Sequence, residues 1–322
     1  MTLLYSLLLL LGLIILMVLL FYKYIYHSVE KFDVTHYTFP LIDKLFISKD
    51  IKFLSNYFNF LATYSGINPE KNRYNILLDG EPDNISNIKD IDLLLTTKKD
   101  FSLLPKNVNI IYIPYCAYSF LENNIEPEQL LKTFPYISPY KKTKFCAFMY
   151  SNCNDNLKGI SDRKKFYELL NNKLSVDNLG SCYNKEKPSS TISGHKNAKI
   201  MYEPYKFVIA FESMQIDGYI TEKLTNPMLA GAIPIYLGAP DIKKYCFSGY
   251  IDVNDFKSFE ECIDFIFKLN NDDILYTNFL QQPWLKNNIV DKEFFSIYYG
   301  GTIYKDIYNI FPKKLQKFLK RN

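Results

Sequence analysis

The segment with the clearest chemical potential runs from residue 211 to residue 224 and combines a strand end, a glycine loop and a charged helix start. Glu222 and Lys223 follow Thr221, a residue type that caps helix N-termini. An acidic residue suits the positive end of a helix dipole, whereas Lys223 is unfavourable there unless an anion lies nearby. Free backbone N–H groups and an ammonium group form a phosphate site, and Glu222 can accept hydrogen bonds from ribose hydroxyls. The competing interpretation is a surface lysine on a solvated helix.

Several blocks of the C-terminal half resemble the α1,3/α1,4-fucosyltransferases, a family of inverting enzymes that use GDP-fucose. The family pattern joins a Phe-Glu-Asn strand end to a Tyr-aliphatic-Thr-Glu-Lys helix start and a Gly-Ala-Val/Ile-Pro-Val/Ile strand. The chain matches this pattern, in order, with Phe211-Glu212, Tyr219-Ile220-Thr221-Glu222-Lys223 and residues 229–238. The upstream blocks that look like the family are residues 150–154, 163–170 and 176–182. Matches in the family order cover about residues 144–260, which argues against coincidence.

This resemblance implies an α/β fold of two facing Rossmann-like domains (GT-B type), in which the C-terminal domain binds the nucleotide sugar and the N-terminal domain presents the acceptor. The residues carried over to the donor site by position are Arg163, Tyr219, Glu222, Lys223, Ser213 and Asn152. Lys223 and Arg163 would contact the diphosphate, Glu222 the ribose and Tyr219 the nucleotide. Ser213 stands where the family has asparagine, and its hydroxyl can preserve one hydrogen bond.

Inversion at the sugar requires a carboxylate that takes the proton of the attacking acceptor hydroxyl. The family generally places a glutamate in this role, shortly after a strand that follows a Gly-Glu turn. Gly80-Glu81-Pro82 resembles that turn, but Lys98 and Lys99 follow the next strand where the glutamate is expected. Asp100 is the nearest carboxylate and the first candidate base, and Glu81 is the second.

This departure from the family pattern keeps two alternatives to a fucosyltransferase open. One is a non-catalytic glycan- or nucleotide-binding protein that retains the donor-site fold. The other is a transferase for another GDP-sugar, because phosphate and ribose contacts do not read the sugar.

No metal is expected in the site. Two fixed cations can stabilise the negative charge that grows on the leaving GDP without a divalent ion. Asp90-Ile91-Asp92 is an isolated Asp-x-Asp at a strand start in the N-terminal half, and we interpret it as structural. Six cysteines without a CxxC spacing and three histidines make a zinc site improbable.

Strand and helix patterns alternate along the chain and predict parallel sheets, with ligands at the carboxyl ends of the strands. The predicted strands are residues 73–80, 91–97, 108–114, 144–150, 206–211 and 232–236. The predicted helices are 163–173, opened by Ser161 or Asp162, one that Thr221 caps, and 258–270. Residues 122–143, with three prolines, are predicted to link two domains.

The domain organisation follows from these patterns. We predict a transmembrane anchor at 3–22, a stem at 23–50, an N-terminal acceptor-side domain at 51–140, a C-terminal GDP-sugar-binding domain at 141–300 and a basic amphipathic tail at 301–322. The net charge is +4, and residues 313–322 hold five basic side chains and no acid, so the rest of the chain is close to neutral. A neutral body argues against nucleic-acid binding, and 48% hydrophobic residues exclude disorder as the main state.

Residues 3–22 carry no charge, and twenty apolar residues in a helix span about 30 Å, the hydrocarbon thickness of a bilayer. A cleaved signal peptide and a buried soluble helix are the alternatives. The family resemblance implies a single-pass type II anchor with the catalytic body in a Golgi-type lumen. Lys23 and Lys31, which follow the run, taken alone predict a cytosolic body. The cysteines fit either lumenal disulfides or buried thiols, Cys153 and Cys182 included.

Overall fold

The computed structural model describes residues 58–62, 67–80, 85–100, 102, 104–153, 157–183, 197–313 and 316. The predicted anchor at 3–22, the predicted stem at 23–50 and most of the basic end of the chain lie outside these residues. Within the described part of the chain, we find no helix that combines the length and the apolar character needed to cross a bilayer.

Four parallel strands form the sheet of the N-terminal half, in the order β1-β2-β3-β4. They are β1 Phe58–Ala62, β2 Tyr74–Asp79, β3 Leu93–Thr96 and β4 Asn109–Tyr112. All four residues of β3 are buried, which explains why this segment is a continuous apolar run rather than an alternating one. The carboxyl ends of β2 and β3 come together because Asp79 pairs with Thr96 in register.

Five parallel strands form the second sheet, in the order β6-β5-β7-β8-β9. They are β5 Lys144–Phe148, β6 Val176–Asn178, β7 Tyr205–Phe211, β8 Ile233–Leu237 and β9 Ile251–Asp252. The chain order changes direction at β5, so the loops that follow β5 and β7 flank a crevice at the carboxyl edge of the sheet.

Eight α-helices connect or cover these strands in the described part of the chain. They are α1 Tyr115–Glu122, α2 Lys158–Lys173, α3 Ala198–Tyr202, α4 Glu222–Leu229, α5 Phe259–Asn271, α6 Asp273–Leu280, α7 Ser296–Tyr299 and α8 Thr302–Ile310. Short 3₁₀ turns cover Pro127–Leu130, Ile242–Lys244, Val253–Asp255 and Lys286–Asn288. Two predicted caps are confirmed, because the side chain of Thr221 accepts a hydrogen bond from Lys223 N and that of Ser258 accepts one from Glu261 N.

The predicted start of α2 is wrong. The helix begins at Lys158 rather than after Ser161 or Asp162, and no side chain caps it. The first turn instead packs on the end of β7, where a methyl group at Gly159 would collide with backbone carbonyls. This tertiary contact extends the helix beyond its local capping signal, and it places Arg163 in the second turn.

Short elements account for the structure that the sequence patterns missed. The missed strands are β1, β6 and β9, and the missed helices are α1, α3 and α6 to α8. The stretch predicted as an unstructured linker contains the 3₁₀ turn Pro127–Leu130, with α1 just before it. Pro227 lies in the second turn of α4, where it removes one backbone donor.

One hydrophobic core joins the two sheets. It includes Ile76 and Leu95 from the first sheet and Phe207 and Ile235 from the second. Helix α1 packs against α4, so the N-terminal half bears directly on the helix that carries Lys223. The two sheets are therefore held in a defined relation around the loop that precedes α4.

Candidate functional site

The carboxyl group of Glu212 organises the end of β7. Its side chain is 0% exposed, and it accepts hydrogen bonds from Thr221 N and from Thr221 Oγ1, both at 2.8 Å. The backbone N–H of Glu212 donates to Leu237 O at the end of β8. Burial raises the pKa of Glu212 to about 7, although the neighbouring Lys223 opposes the rise. The side chain and the backbone of Glu212 thus connect the end of β7 to a helix cap and to the end of β8.

Lys223 lies in the first turn of α4 with its side chain 24% exposed. Its Nζ is 3.4 Å from Glu222 Oε1 and 3.6 Å from Glu212 Oε2, and it donates to Thr221 Oγ1 at 3.2 Å. Burial lowers the pKa of Lys223, but the two carboxylates more than offset this and hold it well above its usual value. The ammonium therefore stays charged at the N-terminus of a helix, where an anion would be stabilised by both.

Arg163 supplies a second cation, from the second turn of α2. It is 2% exposed, donates from Nη2 to the carbonyl oxygen of Asn152, and lies with Cζ 4.2 Å from the centre of the Tyr150 ring. Its Nε is also buried, and no hydrogen-bond partner for it is found among the described residues. A buried N–H of this kind costs free energy unless a ligand or water accepts from it.

Tyr150, just after β5, packs against Arg163 and is bonded to the end of β7. Its hydroxyl donates to Ile209 O at 2.9 Å and accepts from Phe211 N at 2.7 Å, which locks the ring against β7. Burial raises the pKa of Tyr150, and the positive charges of Arg163 and Lys223 oppose that rise. The charges of Arg163 and Lys223 therefore both act on this tyrosine although 60 residues separate them in the chain.

The other predicted donor residues surround this point in different ways. Tyr219 is buried, and its electrostatic interaction reaches both Arg163 and Lys223. Asn152 is exposed and contributes its backbone carbonyl to Arg163. Ser213 is half-buried, with its carbonyl packed against the start of α2. The structure thus brings the predicted donor residues to one edge of the second sheet, but which of them contact a ligand stays a prediction.

The loop before α4 is held by the N-terminal half of the chain. Gly218 has a φ of 77°, a conformation that favours glycine, and its N–H donates to Asp241 Oδ1 at 2.8 Å. Its carbonyl accepts from the hydroxyl of Tyr112, at the end of β4, at 2.7 Å. Lys99 N donates to Asp217 O at 2.9 Å. Two segments of the N-terminal half therefore hold the loop at 212–220 that leads into Thr221, called the donor loop below for its place in the predicted donor site.

The two lysines that stand in place of the family glutamate have separate partners. Lys98 Nζ is 2.8 Å from Asp79 Oδ2, and both side chains are 0% exposed. Lys99 is exposed, with Nζ 4.4 Å from the ring centre of Tyr112 and 4.9 Å from that of Tyr245. Lys98 is therefore a buried structural cation, whereas Lys99 lies at the surface next to the donor loop.

Asp100 has an environment that stabilises its charged form. Its Oδ1 accepts hydrogen bonds from Ser102 Oγ at 2.6 Å and from Ser102 N at 2.9 Å, and these bonds hold the pKa of Asp100 below its usual value. The other candidate base, Glu81, lies outside the described residues. Asp100 is one residue from the contact between Lys99 and Asp217, so it lies near the donor loop, but its role as the base stays a prediction.

Asp92, the second acid of the Asp-x-Asp segment, accepts a hydrogen bond from Asn75 N at 2.7 Å and so links β2 to the start of β3. Within the described ranges, we find no group of three or more His, Cys, Asp or Glu side chains arranged to hold a metal ion.

Sequence reasoning missed the roles of Glu212 and Tyr150. Glu212 directly follows the apolar run of β7, and an acid at such a position signals a buried carboxyl that needs partners. Nothing in the sequence indicates that Tyr150 lies between Arg163 and β7, because that contact depends on how β5 and β7 pair. Cys153 and Cys182 form a disulfide, with their Cα atoms 5.4 Å apart. The sequence alone left a disulfide and two buried thiols as alternatives for this pair.

Residues 139–298 match the C-terminal domain of glycosyltransferase family 10, the fucosyltransferases. This chain carries a family 10 fucosyltransferase domain. The predicted resemblance to the fucosyltransferases is therefore confirmed over these residues, which form a domain of a glycosyltransferase family. The domain includes Tyr150, Arg163, Glu212 and Lys223, so the cluster described above lies wholly within it.

Similar proteins come from several sources. A protein of Acanthamoeba polyphaga mimivirus, named provisionally as a fucosyltransferase, is 33% identical over 65% of this chain and 33% of its own length. The α-(1,3)-fucosyltransferase FucT of Helicobacter pylori is 32% identical over 55% of this chain and 38% of its own. A GDP-fucose protein O-fucosyltransferase 3 of Xenopus tropicalis is 31% identical over 53% and 38%. The chain thus spans little more than a third of the length of these relatives.

A crystal structure of an α1,3-fucosyltransferase with GDP-fucose has the same fold. It is 24% identical and superposes with a TM-score of 0.50 over 74% of this chain and 76% of the other. A crystal structure of an α1,3-fucosyltransferase with GDP superposes with a TM-score of 0.51. The predicted α/β fold with parallel sheets, resembling GT-B fucosyltransferases, is therefore confirmed.

Proposed function

We propose that this protein transfers fucose from GDP-fucose to a hydroxyl group of an acceptor, with inversion at the sugar carbon. One observation carries the proposal: Arg163, packed on the ring of Tyr150, and Lys223, in the first turn of α4, both lie at the carboxyl edge of one parallel sheet, and a buried Nε–H of Arg163 has no partner among the described residues. Two fixed cations and a helix N-terminus match the charge of a nucleoside diphosphate.

The transfer step follows from this arrangement. The acceptor oxygen attacks the anomeric carbon of fucose, and the bond from that carbon to the β-phosphate oxygen breaks with its electron pair leaving on GDP. Lys223 and Arg163 stabilise the charge that develops on this leaving group. A carboxylate, Asp100 or Glu81, takes the proton of the acceptor hydroxyl. Glu222 binds the ribose hydroxyls, and Tyr219, Ser213 and Asn152 complete the donor contacts.

The acceptor in this proposal is a glycan hydroxyl, with an α1,3 linkage. Relatives named for α1,3-fucosyl transfer and for protein O-fucosylation both match the domain at about 30% identity. A panel of oligosaccharides and serine- or threonine-containing peptides would separate the two, with the linkage of any product read by NMR. Transfer to peptides alone would contradict a glycan acceptor and leave the donor unchanged.

The full chain, purified in detergent, tests the donor. We expect slow hydrolysis of GDP-fucose alone and faster release of GDP with a suitable acceptor. No turnover of GDP-fucose across a broad acceptor panel would contradict the proposal. Turnover of a different GDP-sugar in the same assay would instead support the alternative transferase.

A second candidate is a non-catalytic protein that binds a GDP-sugar or a glycan. The environment of Asp100 favours it, because two hydrogen bonds from Ser102 stabilise the ionised carboxylate and make it a weaker base. Binding of GDP without turnover of any GDP-sugar would support this candidate. Loss of turnover in Asp100→Asn or Glu81→Gln, with GDP binding retained, would exclude it.

The transfer is proposed to need no divalent metal, since the two cations already supply positive charge at the leaving group. We expect turnover to survive EDTA. Loss of activity in EDTA that added Mg²⁺ or Mn²⁺ restores would contradict this.

We also propose that residues 3–22 anchor the protein in a membrane as a single-pass type II span, with the body in a Golgi-type lumen. The charge-free run is long enough to span a bilayer, and a Cys153–Cys182 disulfide fits an oxidising compartment. Protease protection of the body in sealed vesicles is the expected result. Digestion of the body in intact vesicles would show the opposite orientation, with the body on the cytosolic side.

A further inference from the structure

Glu212, whose carboxyl group is buried, contacts three parts of the proposed donor site. It accepts both hydrogen bonds from Thr221, at the cap of α4. Its backbone carbonyl packs against Gly159, in the first turn of α2, where a side chain would collide with it. A methyl group at Gly238, after β8, would lie 2.6 Å from Glu212 Cγ. Glu212 therefore has little room to move, and it contacts both α2, which carries Arg163, and the cap of α4, which carries Lys223.

Charges and titratable groups face Glu212 from every element around it. They are Lys223 and Glu222 on α4, Arg163 on α2, Tyr150 after β5, Tyr236 on β8 and Cys116 on α1. Two carboxylates, from Glu212 and Glu222, share the single ammonium of Lys223 at 3.6 and 3.4 Å. Of these two acids, Glu212, at 0% exposure, is the more costly to ionise.

We propose that Glu212 is a positioning residue that fixes Lys223 through Thr221, and that the negative charge of Glu212 weakens the hold of the site on the diphosphate. The proposal rests on the proposed function, because it takes the diphosphate of GDP-fucose to be the anion that Lys223 binds. After protonation of Glu212, one carboxyl oxygen can still accept from Thr221 N, so the residue stays next to the cap of α4. The negative charge that competes with the ligand for Lys223 is then removed.

Proton binding at Glu212 and diphosphate binding at Lys223 are linked, and this linkage sets how the affinity depends on pH. Burial raises the pKa of Glu212 to about 7, with Lys223 opposing, so the group changes charge near neutral pH. A bound diphosphate adds negative charge beside Lys223 and favours the protonated form of Glu212 still further. Binding therefore takes up a proton, and affinity rises as the pH falls through about 7.

Calorimetric titration of the full chain with GDP-fucose, without acceptor, tests this directly. Both phosphates of this ligand are esterified, so its charge does not change between pH 6 and pH 8. We expect wild-type protein to bind about fivefold more tightly at pH 6 than at pH 8, the affinity change between these pH values if binding raises the pKa by about one unit. Glu212→Gln keeps the shape and lacks the charge, so it should bind at both pH values as wild type does at pH 6.

Glu260→Gln is the matched control, because Glu260 is an exposed acid on α5, and this variant should keep the wild-type pH dependence. A Glu212→Gln variant that binds more weakly than wild type at pH 8, or keeps the wild-type ratio of affinities at pH 6 and pH 8, would overturn the proposal. If that variant is unfolded by circular dichroism, Thr221→Ala provides the test, since losing the hydroxyl bond should raise the pH midpoint of binding. An unchanged midpoint would overturn the proposal equally.

These outcomes are distinct from those that test the function itself. Absence of GDP-fucose binding by wild type at both pH values would contradict the proposed function and this inference together. Normal binding with the same pH ratio in wild type and Glu212→Gln would contradict only the role of Glu212.

Discussion

Lys223 and Arg163 are the two cations of the proposed donor site. Both are cations with restricted freedom: Lys223 lies between two carboxylates and a helix cap, and Arg163 is clamped between the ring of Tyr150 and the carbonyl of Asn152. Cations fixed before the ligand arrives cost little reorganisation when charge develops on the leaving group. Each is therefore expected to affect the rate as well as donor binding.

Replacement of Lys223 by alanine should lower kcat/KM for GDP-fucose by about 10²- to 10³-fold, the usual cost of removing one donor that faces developing charge. Initial rates with a fixed acceptor measure this. Lys244→Ala is the control, because Lys244 is exposed on the same half of the chain and should leave the rate unchanged. Equal activity of wild type and Lys223→Ala would show that this ammonium does not bind the leaving group.

Asp100→Asn should lower kcat by about 10²- to 10⁴-fold with unchanged GDP affinity if Asp100 is the general base. Its pH dependence offers a sharper test through Ser102, whose hydroxyl and N–H hold the pKa of Asp100 down. A base works above its pKa, so Ser102→Ala should shift the acid limb of kcat/KM to higher pH. An unshifted limb would exclude Asp100 and favour Glu81, for which Glu81→Gln is the parallel variant.

Helix α2 and the end of β7 illustrate control at the scale of single elements. Gly159 brings the backbone of α2 onto the carbonyls of Glu212 and Ser213, and this contact determines where Arg163 lies. Motifs predicted that Arg163 and Lys223 belong to one site. The helix start was misplaced because a packing contact, and not a capping side chain, holds the first turn of α2.

Gly159→Ala should lower the free energy of unfolding by about 1–3 kcal/mol, since backbone atoms cannot move aside for the added methyl group. It should also weaken GDP-fucose binding, because α2 must shift and carries Arg163 with it. Urea unfolding and calorimetry measure the two effects. Lys158→Ala, an exposed position on the same turn, should change neither by much, and similar values for both variants would show that the close contact is unimportant.

At the scale of the whole molecule, the N-terminal half supports the donor loop. Lys99, after β3, donates to Asp217 O, and Tyr112, at the end of β4, donates to Gly218 O. In addition, the backbone N–H of Cys116, in α1, donates to Ile220 O at 3.0 Å. The C-terminal half thus carries the cations, whereas the N-terminal half helps to fix the loop that precedes them. Donor binding is therefore expected to depend on residues outside the matched domain at 139–298.

Tyr112→Phe should cost about 1 kcal/mol of stability, the usual net value of a hydrogen bond, and raise KM for GDP-fucose several-fold. Tyr304→Phe is a matched control, because the hydroxyl of Tyr304 also donates to a backbone carbonyl, that of Ile297, on the C-terminal helices. Both variants should lose similar stability, but only Tyr112→Phe should change KM. An equal KM in both would mean that the loop holds its conformation without the N-terminal half.

The sequence by itself determined the alternation of apolar strands and helices, the caps at Thr221 and Ser258, the family of the domain at 139–298, and the choice of Arg163, Glu222 and Lys223 as candidate donor residues. These features depend on local patterns that neighbouring residues specify. Only the tertiary structure decided that Glu212 accepts hydrogen bonds from Thr221, that Tyr150 lies between Arg163 and β7, and that Lys98 forms a buried ion pair with Asp79. Those contacts join residues brought together by strand pairing, and the low polarity of the interior then sets the charges that they carry.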